Sequence, residues 1–227
     1  IGPGTAGGNA AFTGTVAVDL ITVDATTGDA SADFNSTLEV GNLDFTIDGG
    51  NASTEDASVT IFGNVTVETA ADDIFLDDNT GTATLTFDGT SAQTVAAEIS
   101  SQDTTDEGTL VINNPAGVTF TALVGGAAGT GGDLKTINIG TVDGANSSAT
   151  FGAASIATAT VGTKAWALGN GGSTADTITL TFDSDQAAIT VAGTINGAAA
   201  GVLSDTSVLN IVDSSPGAAA NTVTISG

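Results

Sequence analysis

Thr alternates with Val, Ile, Leu or Phe along most of the chain, as in Leu43–Ile47, Ser58–Phe62, Thr82–Phe87, Ile137–Ile139, Thr177–Phe182 and Thr222–Ile225. A period of two sets the apolar side chains on one side of an extended backbone and the hydroxyls on the other, which is the pattern of a half-buried β-strand. Clusters such as Asp48-Gly49-Gly50-Asn51, Asp88-Gly89 and Asp143-Gly144 interrupt the runs. Gly supplies positive φ and Asp bonds nearby amides, so these clusters predict chain reversals roughly every 8 to 15 residues. Only Ser91–Gln102 and the Ala-rich Gly197–Gly201 invite a helix.

An internal similarity bears on the first of these. Thr82-Ala83-Thr84-Leu85-Thr86-Phe87-Asp88 returns as Thr177-Ile178-Thr179-Leu180-Thr181-Phe182-Asp183, 95 residues later. Around it Phe62 answers Phe151, Val95 and Ile99 answer Ile189 and Ile195, and Leu110–Ile112 answers Leu209–Ile211. The counterpart of Ser91–Gln102 carries Ile189-Thr190-Val191 and reads as strand, so Ser91–Gln102 is expected to be strand too. The pattern predicts two β-repeat units: residues 1–115 with extra strands at the N-terminal side, and residues 116–227 with a C-terminal strand. The fold class is all-β. A β-solenoid of stacked coils, each of roughly 20 to 30 residues, is favoured, because Ala, Val and Thr suit a thin interior. The alternative is two tandem immunoglobulin-like sandwiches, which expect more bulky aromatics than one Trp and nine Phe.

Composition narrows the chemistry. The 227 residues hold 26 acidic and two basic side chains, Lys135 and Lys164, for a net charge of −24. Neutralising phosphates needs clusters of Lys and Arg, so nucleic acid is excluded as a partner. His, Cys, Met and Tyr are absent, which removes imidazole and thiolate metal sites, Cys and His catalysis and disulfides. The chain is therefore read as no enzyme. No run of 18 apolar residues is present and no aromatic girdle, so membrane insertion is not expected. Twenty-one of the acids are Asp and five are Glu, which places the charge at turns instead of along helices.

With Thr136-Ile137-Asn138-Ile139-Gly140-Thr141, Ala149-Thr150-Phe151-Gly152, Gly108–Asn113 and the Leu-Thr-Phe-Asp repeat in view, the chain resembles the bacterial β-strand-repeat surface proteins. These include rickettsial outer-membrane adhesin passengers, autotransporters and surface-layer proteins. The resemblance implies export, a repetitive β architecture, an extracellular or cell-surface location and no catalytic residues.

Two candidate sites follow from the residues themselves. Asp72, Asp73, Asp77 and Asp78 flank the apolar triplet Ile74-Phe75-Leu76, and adjacent carboxylates at turns are the ligand type calcium takes. Calcium is the one candidate cofactor; solvated turn carboxylates are the plainer alternative. The second site is for assembly: Thr222, Val223, Thr224 and Ile225, or Phe12, Val16 and Val18 in the N-terminal run, as strands that complete a neighbour's sheet. The expected function is a secreted structural subunit of a surface layer or filament, a homo-oligomer or polymer built through strand edges or strand donation. The alternative is an adhesin passenger or phage fibre module that binds glycans or a receptor, with Trp166 as its candidate anchor.

Overall fold

In a computed structural model, which describes residues 8–41, 45–67, 73–102, 106–125, 132–152, 158–161, 163–169, 173–184, 188–197, 205–212 and 223–226, every regular element is a β-strand. The strands come in coils. The first coil is β1 (Gly8–Phe12), β2 (Val16–Val18) and β3 (Ile21–Asp24), and the second is β4 (Ala30–Phe34), β5 (Leu38–Val40) and β6 (Phe45–Asp48). The third is β7 (Asp56–Ile61), β8 (Val65–Val67) and β9 (Asp73–Asp77), and the fourth β10 (Thr82–Phe87), β11 (Gln93–Ala96) and β12 (Glu98–Ser101). The fifth holds β13 (Glu107–Ile112) and β14 (Val118–Phe120), with Val124 bridged to Ile99 on its third side. The sixth is β15 (Leu134–Ile139), β16 (Ser147–Phe151) and β17 (Thr158–Val161), and the seventh β18 (Thr163–Leu168), β19 (Thr177–Asp183) and β20 (Ala188–Ala192). The eighth is β21 (Thr194–Asn196), β22 (Thr206–Val212) and β23 (Val223–Ser226).

Each strand pairs in parallel with its equivalent one coil away, giving three faces. Face A runs β1-β4-β7-β10-β13-β15-β18-β21 and face B runs β2-β5-β8-β11-β14-β16-β19-β22. Face C consists of β3-β6-β9-β12 and, further along, β17-β20-β23. The chain is an all-β solenoid. Sandwiches of the immunoglobulin kind are antiparallel, and every strand pairing described here is parallel, which removes that alternative. Paired residues lie 22 (Gly8 to Ala30) to 34 (Ile189 to Val223) residues apart. At about 4.8 Å per strand, eight coils stack to roughly 34 Å.

Alternation becomes burial in the expected way. In β10 the odd-numbered Ala83, Leu85 and Phe87 are buried, while Thr84 and Thr86 face outward. In-register stacking then aligns the inward residues of successive coils into columns. On face B one column runs from Val16 through Val95, Phe120, Phe151 and Phe182 to Ile211. On face A another runs from Ala10 through Leu85, Leu110 and Trp166 to Ile195. Phe120 and Phe151 stack with centroids 4.7 Å apart and planes 7° from parallel. Trp166 meets Phe151 and Phe182 edge to face, at 5.4 and 5.8 Å.

The expected strand character of Ser91–Gln102 is realised as β11 and β12. The 95-residue similarity has a different meaning from a duplicated unit. Thr82–Phe87 lies on face A and Thr177–Asp183 on face B; Val95 is on face B and Ile189 on face C; Ile99 is on face C and Ile195 on face A. Every matched pair is displaced by one face, because 95 residues span three coils and one side of a fourth. All three faces ask for the same alternation, so similar strands serve on any of them. Faces A and B also continue across residues 115–116, where β13 pairs β15 and β11 pairs β14.

Candidate assembly edges and carboxylate clusters

The corners carry most of the polar chemistry. At the turn from face A to face B, amides staple one coil to the next. Asn64 Oδ1 accepts the Thr94 amide at 2.9 Å, Asn146 Oδ1 accepts that of Thr177 at 2.8 Å, and Asn35 Nδ2 donates to the Phe12 carbonyl at 3.3 Å. Asn114, wholly buried, donates through Nδ2 to Ser91 O (2.8 Å) and Gln93 Oε1 (2.7 Å). Gln93 Nε2 in turn donates to the carbonyls of Ile61 and Gly63. Backbone groups at a buried corner need partners, and these amides supply both donors and acceptors.

At the end of face C, Asp24, Asp48 and Asp77 lie in register on β3, β6 and β9. Each closes an Asx turn: Asp24 Oδ1 accepts the Thr26 amide at 2.7 Å, Asp48 Oδ1 that of Gly50 at 2.8 Å, and Asp77 Oδ1 that of Asn79 at 3.2 Å. Asn79 holds φ at 46°, a left-handed conformation its short amide tolerates, and its Nδ2 donates to Asp48 Oδ1. This is the physical reason for Asp over Glu in the sequence: the short carboxylate reaches an amide two residues on.

The four carboxylates proposed for calcium are split by this arrangement. Asp72 lies outside the described residues. Asp73 and Asp77 are the first and last residues of β9, about 13 Å apart along an extended strand. Asp77 closes the Asx turn, and Asp78 turns inward to 6% exposure, where Oδ1 accepts the Ala83 amide at 2.8 Å and Oδ2 lies 3.2 Å from Lys135 Nζ. Asp73 and the pair Asp77 and Asp78 therefore stand at opposite ends of one face. Among the described residues no group of three His, Cys, Asp or Glu side chains is placed to hold a metal ion.

Asp78 lies farther along the same corner, between faces C and A. Asp29 Oδ1 accepts the Asp56 amide at 3.2 Å, and Asp56 Oδ1 accepts the Thr82 hydroxyl at 2.6 Å. Further along, Glu107 pairs in register with Leu134, which brings Asp106 and Asp133 to adjoining coils. Burial pushes the Asp133 carboxyl above its ordinary range, and does the same to Glu98 on face C. Lys135, 58% exposed, contributes a positive charge to this corner. The chain nearly touches itself at this corner: a Cβ on Gly81 would collide with the Gly49 and Glu55 carbonyls. Gly108, at φ +75°, similarly leaves no room for a side chain beside Leu76.

The proposed assembly residues sit on the end coils. Phe12 ends β1, Val16 and Val18 bound β2, and Val223, Thr224 and Ile225 lie in β23; Thr222 falls outside the described residues. Phe12, Val16 and Val223 pack against the core from its ends. Among the described residues no strand pairs with the outer edges of β1 to β3 or of β21 to β23. Sequence reasoning missed Leu209 and Ile211 on β22, which expose 44% and 57% of their surface at inward-facing positions of the last coil. Their alternation was legible; their place in the final coil was not. Trp166 is fully buried in the core column and offers no surface to a glycan.

No family model, curated protein or solved structure matches the chain. Among the described residues no helix is long and apolar enough to cross a membrane.

Proposed function

We propose that the chain is a structural subunit of a surface layer or extracellular filament, joined to its neighbours through the open edges of its sheets. The carrying observation is that exposed apolar side chains, Val18 on β2, Leu209 and Ile211 on β22 and Ile225 on β23, lie beside strand edges with which no described strand pairs. An unpaired strand edge is a template for another strand, and exposed apolar side chains beside it favour covering that edge. The absence of His and Cys and the small repertoire of charged side chains suit a building element better than a catalyst. Export to the cell surface is part of the same reading.

Net charge of −24 opposes close approach at low ionic strength. Charges farther apart than the Debye length are screened, and that length is about 30 Å at 0.01 M salt but about 3 Å at 1 M. The subunit is expected to stay monomeric in dilute buffer with chelator and to form elongated polymers as salt or millimolar calcium is added, followed by light scattering and electron microscopy. A monomer under every condition contradicts the proposal.

A further inference from the structure

We infer that Lys135 and Asp78 condense into an intramolecular amide that ties the fourth coil to the sixth across the coil between them. The bond lies within one chain and is independent of how copies assemble.

Asp78 directly follows β9, and Lys135 is the second residue of β15. The pair therefore joins the corner of the fourth coil to a strand of the sixth, with the amine spanning the whole of the fifth. Lys135 Nζ lies 3.2 Å from Asp78 Oδ2. As a bare ion pair with an exposed lysine this contact is worth little, and ordering the long lysine stem costs entropy.

The carboxyl is set up for attack by the amine. Asp78 is buried, and its Oδ1 accepts the Ala83 amide at 2.8 Å. That bond fixes the carboxyl plane and sets an N–H donor on the oxygen where negative charge gathers as nitrogen adds to Cγ, in the manner of an oxyanion hole. Oδ2, which faces the amine, is the leaving oxygen. Both groups are anchored on hydrogen-bonded coils, so the entropy of bringing amine to carboxyl is already lost on folding. Burial of Asp78 also limits the water that would reverse the step.

The reaction is an ion pair losing water. The ammonium gives two protons to Oδ2, the first along the existing Nζ–H···Oδ2 bond. The Cγ–Oδ2 bond breaks as the Nζ–Cγ bond forms, water leaves, and nothing is oxidised or reduced. Glu107 begins β13 on the intervening coil, is buried, and pairs in register with Leu134 beside Lys135. Its carboxyl is the group placed to relay the second proton. The product closes residues 78–135 into a ring. Stacked coils are otherwise held only by bonds and packing to their neighbours, and the ring adds a covalent tie over three of them.

The test is the intact mass of the chain in denaturant. The wild type is expected to be one water lighter than its sequence. Lys135→Arg, which keeps the charge but replaces the amine by a guanidinium, should have its full mass. This variant separates the amide from a succinimide at Asp88-Gly89 or Asp143-Gly144, which also loses water and would survive the substitution. Cleavage after Glu68, Glu98 and Glu107 of the wild type should release residues 69–98 and 108–227 as one branched fragment. Glu107→Gln, with unchanged circular dichroism, should slow closure about a hundredfold; closure at the wild-type rate overturns the relay alone. A wild type at its full sequence mass, or a water loss that Lys135→Arg retains, overturns the amide.

Discussion

Phe182 and Ile211 occupy the same face B column one coil apart, yet Phe182 is fully buried and Ile211 is 57% exposed. The two strands that carry them, Thr177–Asp183 and Thr206–Val212, are seven residues long. What separates them is the presence of another coil above. In a solenoid each unit is buried by its two neighbours, so an identical pattern makes core in the middle and exposed surface where no described coil covers it. Residue chemistry decides which side chains point inward, and coil number decides whether anything covers them.

The sharpest way to break this comparison is truncation at equivalent inward positions. Phe120→Ala in the fifth coil removes a ring packed against Phe87 and Phe151, and should cost about 3–5 kcal/mol of unfolding free energy in urea. Ile211→Ala should cost less than about 1 kcal/mol in the same monomeric conditions, because its side chain is already wet. Equal losses would mean that the last coil is as well packed as the middle. Next in size is the buried corner. Asn114→Ala strands Gln93 Oε1, the Ser91 carbonyl and the Ala116 amide, for an expected loss of about 1–3 kcal/mol. The exposed staple Asn35→Ala near the first coil should stay below about 1 kcal/mol, since water replaces its bond to Phe12.

Titration gives the smallest effects, with opposite signs at two sites. Burial raises the Asp133 carboxyl, so the folded chain holds that proton more tightly than the unfolded one. Its contribution falls as pH rises from the ordinary carboxylate range through the raised value. Asp133→Asn should therefore raise the melting temperature at pH 7 by an amount worth less than about 1 kcal/mol, and leave it unchanged below that window. Asp143 is the reverse: the Thr174 amide, with the Ser173 hydroxyl and amide, holds its carboxyl low. That stabilisation is present above the ordinary pKa of Asp and is lost as pH falls through the lowered one. Melting curves of Asp143→Asn between pH 2 and 7 check the sign; a variant that melts alike at both extremes contradicts it.

Much of the fold was legible because strand alternation is a local property. Leu85 and Phe87 announce their inward side from their neighbours alone, and the Asp-rich turns announce themselves by reach to nearby amides. The 95-residue similarity shows where local reading stops. Thr82–Phe87 and Thr177–Asp183 look like copies, yet they sit on different faces, because each face poses the same packing problem. The carboxylates around Ile74–Leu76 follow a related rule. Closeness in sequence along an extended strand is distance in space, and the close carboxylates are instead those one coil apart, such as Asp48 and Asp77. Asn35, Asn64 and Asn146 likewise act across coils, each through an amide that bonds the adjoining one.

The amino-acid order alone determined that this chain forms strands, which side chains of each strand point inward, where it turns, and which chemistries lie beyond its side chains. These follow from torsional preference and from the chemistry of single residues and their near neighbours. Stacking decided the rest: which strands share a face, which carboxylates align, and that Ile211 and Val16 belong to one column. Those outcomes depend on pairings 22 to 34 residues apart, and no local pattern encodes the coil in which a strand will come to rest.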